Sequence, residues 1–302
     1  MRIVFLLSFL WLCLPAHSYA LSWDDSCLPF TDGCLFVLAT KELSSLESED
    51  SRTRFYHLAF HAGRLGYTSI PGESLEMLPK KYLPVANRLL QIGRSVRNGE
   101  TGINLNKPVV SAEQVLIAEY TLAHQLSDLG QEDIVSILAA SEIPHSIQGR
   151  LLGRVLAENL NRGESRLADG RLSLFVDHLQ KSEYSAMALG ALAIELALNG
   201  YTIEARELVE RELALDQHIF SQDVLLFIRA IQSALDDDVL RSVTLASAIQ
   251  SQTFRLEALA QLFALTRDQF IGKQFLSSLY DFSQPLSSGE RLNLVLFTMS
   301  SM

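Results

Sequence analysis

Few residues in this 302-residue chain are of a type and spacing that could do chemistry. His57 and His61 stand four positions apart, which on a helix puts both imidazoles on one face and offers two nitrogens to a metal ion. Leu58 follows the first histidine where a zinc protease needs glutamate, so the hydrolytic version of that pair fails, and no third ligand can be named. His124, His145, His178 and His218 have no common spacing that gathers them. Asp236, Asp237 and Asp238 lack the alternating ligands and closing glutamate of a calcium loop. They read instead as a solvated turn whose charge suits the start of the next helix. No phosphate-binding G-x-x-x-x-G-K-S/T loop, dinucleotide G-x-G-x-x-G or G-x-S-x-G elbow occurs. These residues predict no catalytic group, no cofactor and no metal site.

The remaining pair is Cys27 and Cys34, in SCLPFTDGCLF. Their redox state depends on the compartment, and the start of the chain predicts export. Arg2 precedes the apolar run Ile3 to Leu14, and Ser18-Tyr19-Ala20 has the small residues of a signal-peptidase site, so residues 1–20 read as a cleaved secretory signal. About 12 apolar residues are too few to span a bilayer, and the later run Ala186 to Leu198 is short and interrupted by Glu195. In the periplasm or outside the cell, thiols tend to be oxidised, which favours a Cys27–Cys34 disulfide. Two free buried thiols, or a metal or redox pair, are the competing readings; the spacing is wider than C-x-x-C and no histidine lies nearby. Pro29 and Asp32-Gly33 make the intervening chain turn-prone. A formal charge of −10 and a pI near 5.2 give no broad attraction to nucleic acid or anionic lipid.

The elements that must carry these residues are helices. Hydrophobic content is 48% and aromatic content 8%, and the Leu- and Ala-rich mixture favours helix over strand. Ser185 to Leu213 reads as one helix-turn-helix unit. Its first half carries Met187, Leu189, Leu192, Ile194, Leu196 and Leu198 among alanines, so it needs burial on nearly every side. Asn199 and Gly200 supply the stop. The second half puts Ala205, Leu208, Val209 and Leu213 on one face and charge on the other.

Weaker copies of the unit account for much of the chain. Leu192-Ala193, Leu196, Gly200, Ala205 and Val209 share their offsets with Leu122-Ala123, Leu126, Gly130, Val135 and Ala139. Leu58-Ala59, Ala62 and Gly66 fit the first half; Val155-Leu156, Gly163, Ala168 and Leu172 fit with polar Asn159 in the middle. Leu259-Ala260, Phe263, Gly272 and Leu276 fit with Arg267 in the turn position. Turn positions at Gly66, Gly99, Gly130, Gly163, Gly200, Asp236 and Arg267 recur at roughly the 34-residue period of helical-hairpin arrays. Two loops interrupt them, Tyr67 to Pro84 and Gly99 to Val110, the second followed by a Ser111/Gln114 capping box. Glu42 to Arg54 is Ser- and Glu-rich and reads as partly irregular.

This pattern resembles the tetratricopeptide repeat, with Leu and a small residue, a large residue, a turn glycine and a small residue where the second helix crosses the first. The family's early Trp, its helix-ending Pro and its Asp after the turn glycine are mostly missing. The resemblance implies an all-α fold, a right-handed superhelix of stacked antiparallel hairpins. The expected organisation is a signal at 1–20, an N-terminal segment with a disulfide loop at 21–53, degenerate repeats with loops at 54–112, and a repeat array with a C-terminal capping helix at 113–302. The implied function is an exported scaffold that binds a protein or peptide partner on a curved surface, without catalysis of its own. Glu73-Ser74 and Glu164-Ser165 resemble the Glu-Ser pair of lytic transglycosylases, exported enzymes that also contain helical superstructures. That second resemblance implies an alternative, a cell-envelope glycan hydrolase or accessory module, with glutamate as a general acid of raised pKa.

Overall fold

A computed structural model of the chain describes residues 27, 29–46, 48–69, 83–99, 122–123, 125–163, 165–213, 218–281 and 283–302; for 48–53, 165–169 and 218 the description extends to the backbone alone. All regular secondary structure among these residues is helical, with no strand. The helices are α1 (Asp32–Ser44), α2 (Ser48–Leu65), α3 (Leu83–Arg97), α4 (Gln131–Ala139), α5 (His145–Asn161), α6 (Ser165–Gln180) and α7 (Ser185–Leu198). They continue as α8 (Thr202–Glu212), α9 (His218–Leu235), α10 (Val239–Ser247), α11 (Gln252–Thr266), α12 (Gln269–Leu279) and α13 (Ser288–Ser301). The signal segment, the capping box at Ser111 and Gln114, and most of the two predicted loops lie outside the described residues.

Helix ends follow from local chemistry. The side chains of Thr31, Asp238, Ser251 and Asp268 accept hydrogen bonds from the first-turn amides of α1, α10, α11 and α12, satisfying donors that the helix itself cannot. Ser287 and Glu290 form a reciprocal capping box at α13. Gly66, Gly99, Gly163 and Gly200 have φ between 76° and 99°, the left-handed conformation that closes a helix. Arg267 takes the same conformation without being glycine, at φ 56°. Two details differ from the sequence reading. Gly130 caps α4 in an extended conformation, φ −64°, and the left-handed residue after α9 is Asp237, one position later than Asp236. The Ser- and Glu-rich stretch from 42 to 54 is also helical apart from the break between α1 and α2.

The helices pack in a recurrent order. In the first row α5 packs on α7, α7 on α9, α9 on α11 and α11 on α13. The intervening helices lie against their hairpin partners: α6 on α5, α8 on α7, α10 on α9 and α12 on α11. Helix α7 is bounded by α5, α6, α8 and α9, and Ala188 through Ala197 are buried except Ala191. This is the all-round burial its composition demands.

The start of the described chain closes onto its far end. Helix α1 packs on α13, α13 touches α2, and α2 packs on α3. Phe30, 1% exposed, sits between the rings of Phe263 and Phe275, with centroids 4.6 Å and 6.0 Å away. Burying a phenylalanine so completely stabilises by about 2–3 kcal/mol. Gln269 pins the backbone on both sides of that ring: its Oε1 accepts from Phe30 N at 2.7 Å and its Nε2 donates to Phe30 O at 3.1 Å. Arg291 donates to both oxygens of the buried Glu42 carboxylate at 2.9 Å, and Tyr280 donates to the same group at 3.0 Å. Burial first, and then the Glu42 charge, push the Tyr280 phenol upward. The C-terminal run predicted to cap a stack is therefore itself covered by α1 and α2.

Candidate functional site

The site begins with two glycines on α5. A methyl at Gly149 would collide with the Ala188 carbonyl, and one at Gly153 would lie 2.8 Å from both Leu192 O and Glu195 Cβ. With no side chain at either position, α7 lies directly against α5. This closeness brings Glu195 beside Arg154. The Arg154 Nε donates to Glu195 Oε1 at 2.6 Å, with the glutamate side chain 8% exposed. Asn199 donates from Nδ2 to the Glu195 carbonyl at 2.8 Å, closing the end of α7. A charge this buried is held only because it is matched and hydrogen-bonded.

Across from this pair stand α11 and α13. A cavity of about 330 Å³ separates the two walls, with Arg150 and Arg154 from α5, Glu195, Leu198 and Asn199 from the end of α7, Gln261, Ala264 and Leu265 from α11, and Ser300 and Ser301 from α13. Two arginines tie the walls together. Arg150 stacks over the Phe297 ring of α13, 5.8 Å from its centroid, a cation–π contact that reaches across the cleft. Arg64 on α2 donates from Nη2 to the carbonyls of Met299 and, at 2.9 Å, Ser300. Burial raises the Glu257 carboxyl on α11, while the Arg150 charge pulls it back down.

Gln261 is the informative member of the lining. It is 9% exposed, and among the described residues its Oε1 has no hydrogen-bond partner. An amide oxygen removed from water without a donor costs about 1–3 kcal/mol. The second cavity, about 250 Å³, surrounds Glu42, Tyr280 and Arg291, whose polar atoms already pair with one another.

Of the residues singled out by type, Cys27 and Cys34 are joined in a disulfide, Cα–Cα 4.9 Å. His57 and His61 lie on α2. His61 is buried and its pKa falls well below the ordinary 6.5, through burial first and then the charges of Arg64 and His57. Among the described residues no group of three or more His, Cys, Asp or Glu side chains could hold a metal ion. His145 and His178, which share no spacing in the sequence, come close enough that the first depresses the second, after burial, and His178 Nε2 lies 2.9 Å from Gln148 Oε1. Asp237 and Asp238 make the left-handed turn and the α10 cap. Glu73, Ser74, Glu164, His124 and the side chains of Ser165 and His218 lie outside the described residues.

The residues that line the larger cavity escaped the sequence reading. The signals were Glu195, the only charged residue of the apolar α7, and the four-residue spacing of Gly149 and Gly153. Among the described residues no helix is long and apolar enough to cross a membrane. Comparison with protein-family models, with curated proteins and with solved structures finds no match to this chain.

Proposed function

We propose that this chain is an exported helical-repeat scaffold that binds a peptide segment of a partner protein in the cleft between α5/α7 and α11/α13. In this reading its hairpins form a right-handed, tetratricopeptide-like superhelix whose inner row is α5, α7, α9, α11 and α13. The row-by-row packing and the recurrent left-handed turns support that geometry. The oxidised Cys27–Cys34 pair supports a periplasmic or extracellular location, where such bonds persist. The observation that carries the binding reading is the cleft itself, lined from α5 and α7 on one side and from α11 and α13 on the other, with Gln261, whose buried amide oxygen has no donor among the described residues, in its lining.

The test is peptide selection from a display library on the immobilised chain and on an Ala264→Trp variant whose indole fills the cleft. Peptides retained by the unaltered chain and lost by the filled one support the reading. Equal retention by both places binding elsewhere and ends it. The glycan-hydrolase alternative rests on Glu73 and Glu164. Glycan release from purified cell wall that disappears in Glu73→Gln or Glu164→Gln would replace the scaffold with an enzyme.

A further inference from the structure

Cys27 and Cys34 bracket the residue by which the start of the described chain grips its far end. Phe30 lies inside the loop that their disulfide closes, with its ring against Phe263 of α11 and Phe275 of α12. The room for that ring exists because position 272 is glycine: a methyl there would lie 2.5 Å from Phe30 Cδ1. Gln269 holds the loop by its backbone, at Phe30 N and Phe30 O, and Asp32 Oδ1 accepts from Arg267 Nη1 at 3.3 Å. The same guanidinium donates from Nη2 to the Met302 carbonyl at 3.3 Å, just past the end of α13. Phe263 meets the loop, whereas Gln261, Ala264 and Leu265, within one turn of it, line the cavity. The loop therefore buttresses the helix that forms one wall of the cleft.

Access to the sulfurs and docking of the loop are linked. Cys27 is 4% exposed and Cys34 3%, and thiol–disulfide exchange needs a thiolate to reach one of the two sulfurs. A reductant meets the bond only after Phe30 has left its pocket. Conversely, an opened loop regains backbone freedom that docking must remove again. Disulfide and docking thus stabilise each other by the same factor. The other anchor of α1, Glu42 bonded to Arg291 and Tyr280, contains no sulfur.

We propose that the Cys27–Cys34 bond is a redox latch: a dithiol reductant opens it, the Phe30 loop leaves α11 and α12, and the α11/α13 wall of the cleft loosens while the Glu42 anchor holds. A thiolate of the reductant attacks one sulfur and breaks the S–S bond, giving a mixed disulfide, which the reductant's second thiol then resolves. The chain gains two electrons and two protons as the thiols of Cys27 and Cys34, and the reductant departs as a disulfide. The latch does not rest on the peptide-binding reading, because each of its readouts is taken without ligand.

The experiment blocks any free thiol of the full chain, adds dithiothreitol, and follows the new thiols by timed alkylation in the unaltered chain, Phe30→Ala and Gln269→Leu. Reduction should be slow in the unaltered chain, at least about tenfold faster in Phe30→Ala, which has lost the buried ring, and faster by a smaller factor in Gln269→Leu. Equal rates in all three mean that the sulfurs are reached with the loop docked, and overturn the latch. Hydrogen–deuterium exchange of the oxidised and the reduced unaltered chain reads the consequence and needs no variant to fold. Exchange should quicken along residues 261–275 and at 300–302 on reduction, with α7 and α8 unchanged. Unaltered exchange along 261–275 overturns the proposal. Quickening throughout, α7 and α8 included, overturns it as well, because the bond is then a staple of the whole fold.

Discussion

Two helix crossings in this chain use glycine for opposite ends. Where α2 meets α3, the relation is reciprocal: a methyl at Gly63 would strike the Leu90 carbonyl, and one at Gly93 would strike the Phe60 carbonyl. The surroundings are Phe55, Leu58, Phe60 and Leu89, all fully or almost fully buried, with His61 beside them. Where α5 meets α7 the glycines sit on one helix only. The facing helix fills the room at Gly149 with backbone and at Gly153 with the Cβ of a glutamate. The first crossing is a seal. The second admits a carboxylate, hence a guanidinium, hence a polar cavity. Close approach of two helices is thus a neutral device, and the residue one turn along decides whether it makes core or site.

The crossing of α2 and α3 should not tolerate bulk. Gly93→Val has backbone in its way and no flexible side chain to displace, so it should destabilise the chain by at least about 3 kcal/mol, measured by urea unfolding. A loss below about 1 kcal/mol would mean that α2 and α3 are not held this closely. At the other crossing, Arg154→Ala leaves Glu195 buried without its partner and should cost about 2–3 kcal/mol. Adding Glu195→Gln to that variant should restore much of the loss, because the cost lies in the stranded charge. Strict additivity of the two changes would show that the pair is not coupled.

Acid separates the crossings by a smaller amount. With its pKa depressed in the fold, His61 stays neutral while the unfolded chain takes up a proton near the ordinary 6.5. Its contribution is therefore complete above that pH and is lost as pH falls from there through the folded value. The unfolding midpoint should drop between pH 7.5 and 5, and His61→Leu should flatten part of that drop. His178, depressed in the same direction by burial and by His145 and Lys181, keeps the rest. An unchanged pH profile in His61→Leu would remove the buried neutral imidazole from the account. The smallest effect is expected at Gln261→Leu, where losing an unsatisfied acceptor should leave stability within about 0.5 kcal/mol of the parent or above it.

Much of the helical framework is legible from residue order. The alanine- and leucine-rich α7 needs burial on all sides, the turn glycines recur, and Arg267 occupies a turn position although its side chain disfavours the conformation. The spacing rule located that residue because it depends on position, not on residue type. The closure of the molecule is not legible in the same way. Phe30 with Gln269 and Glu42 with Arg291 are partners more than two hundred residues apart, and no local periodicity encodes such a pairing. The cleft is intermediate. Glu195 breaks the apolar run of α7, yet only the approach permitted by Gly153 shows that it faces an arginine on α5. Gln261 likewise looks like a solvated residue, yet it is 9% exposed and lines a cavity together with Ser300 and Ser301 of α13.

The decisive measurement is hydrogen–deuterium exchange of the full chain, with and without a peptide that the display selection retains on the unaltered chain. Binding in the cleft should slow exchange at the end of α7 around residues 195–199, along α11 around 261–265 and at 300–301, with α8 and α10 unchanged. Slowing confined to α8 and α10, or none at all while the peptide binds, would contradict it.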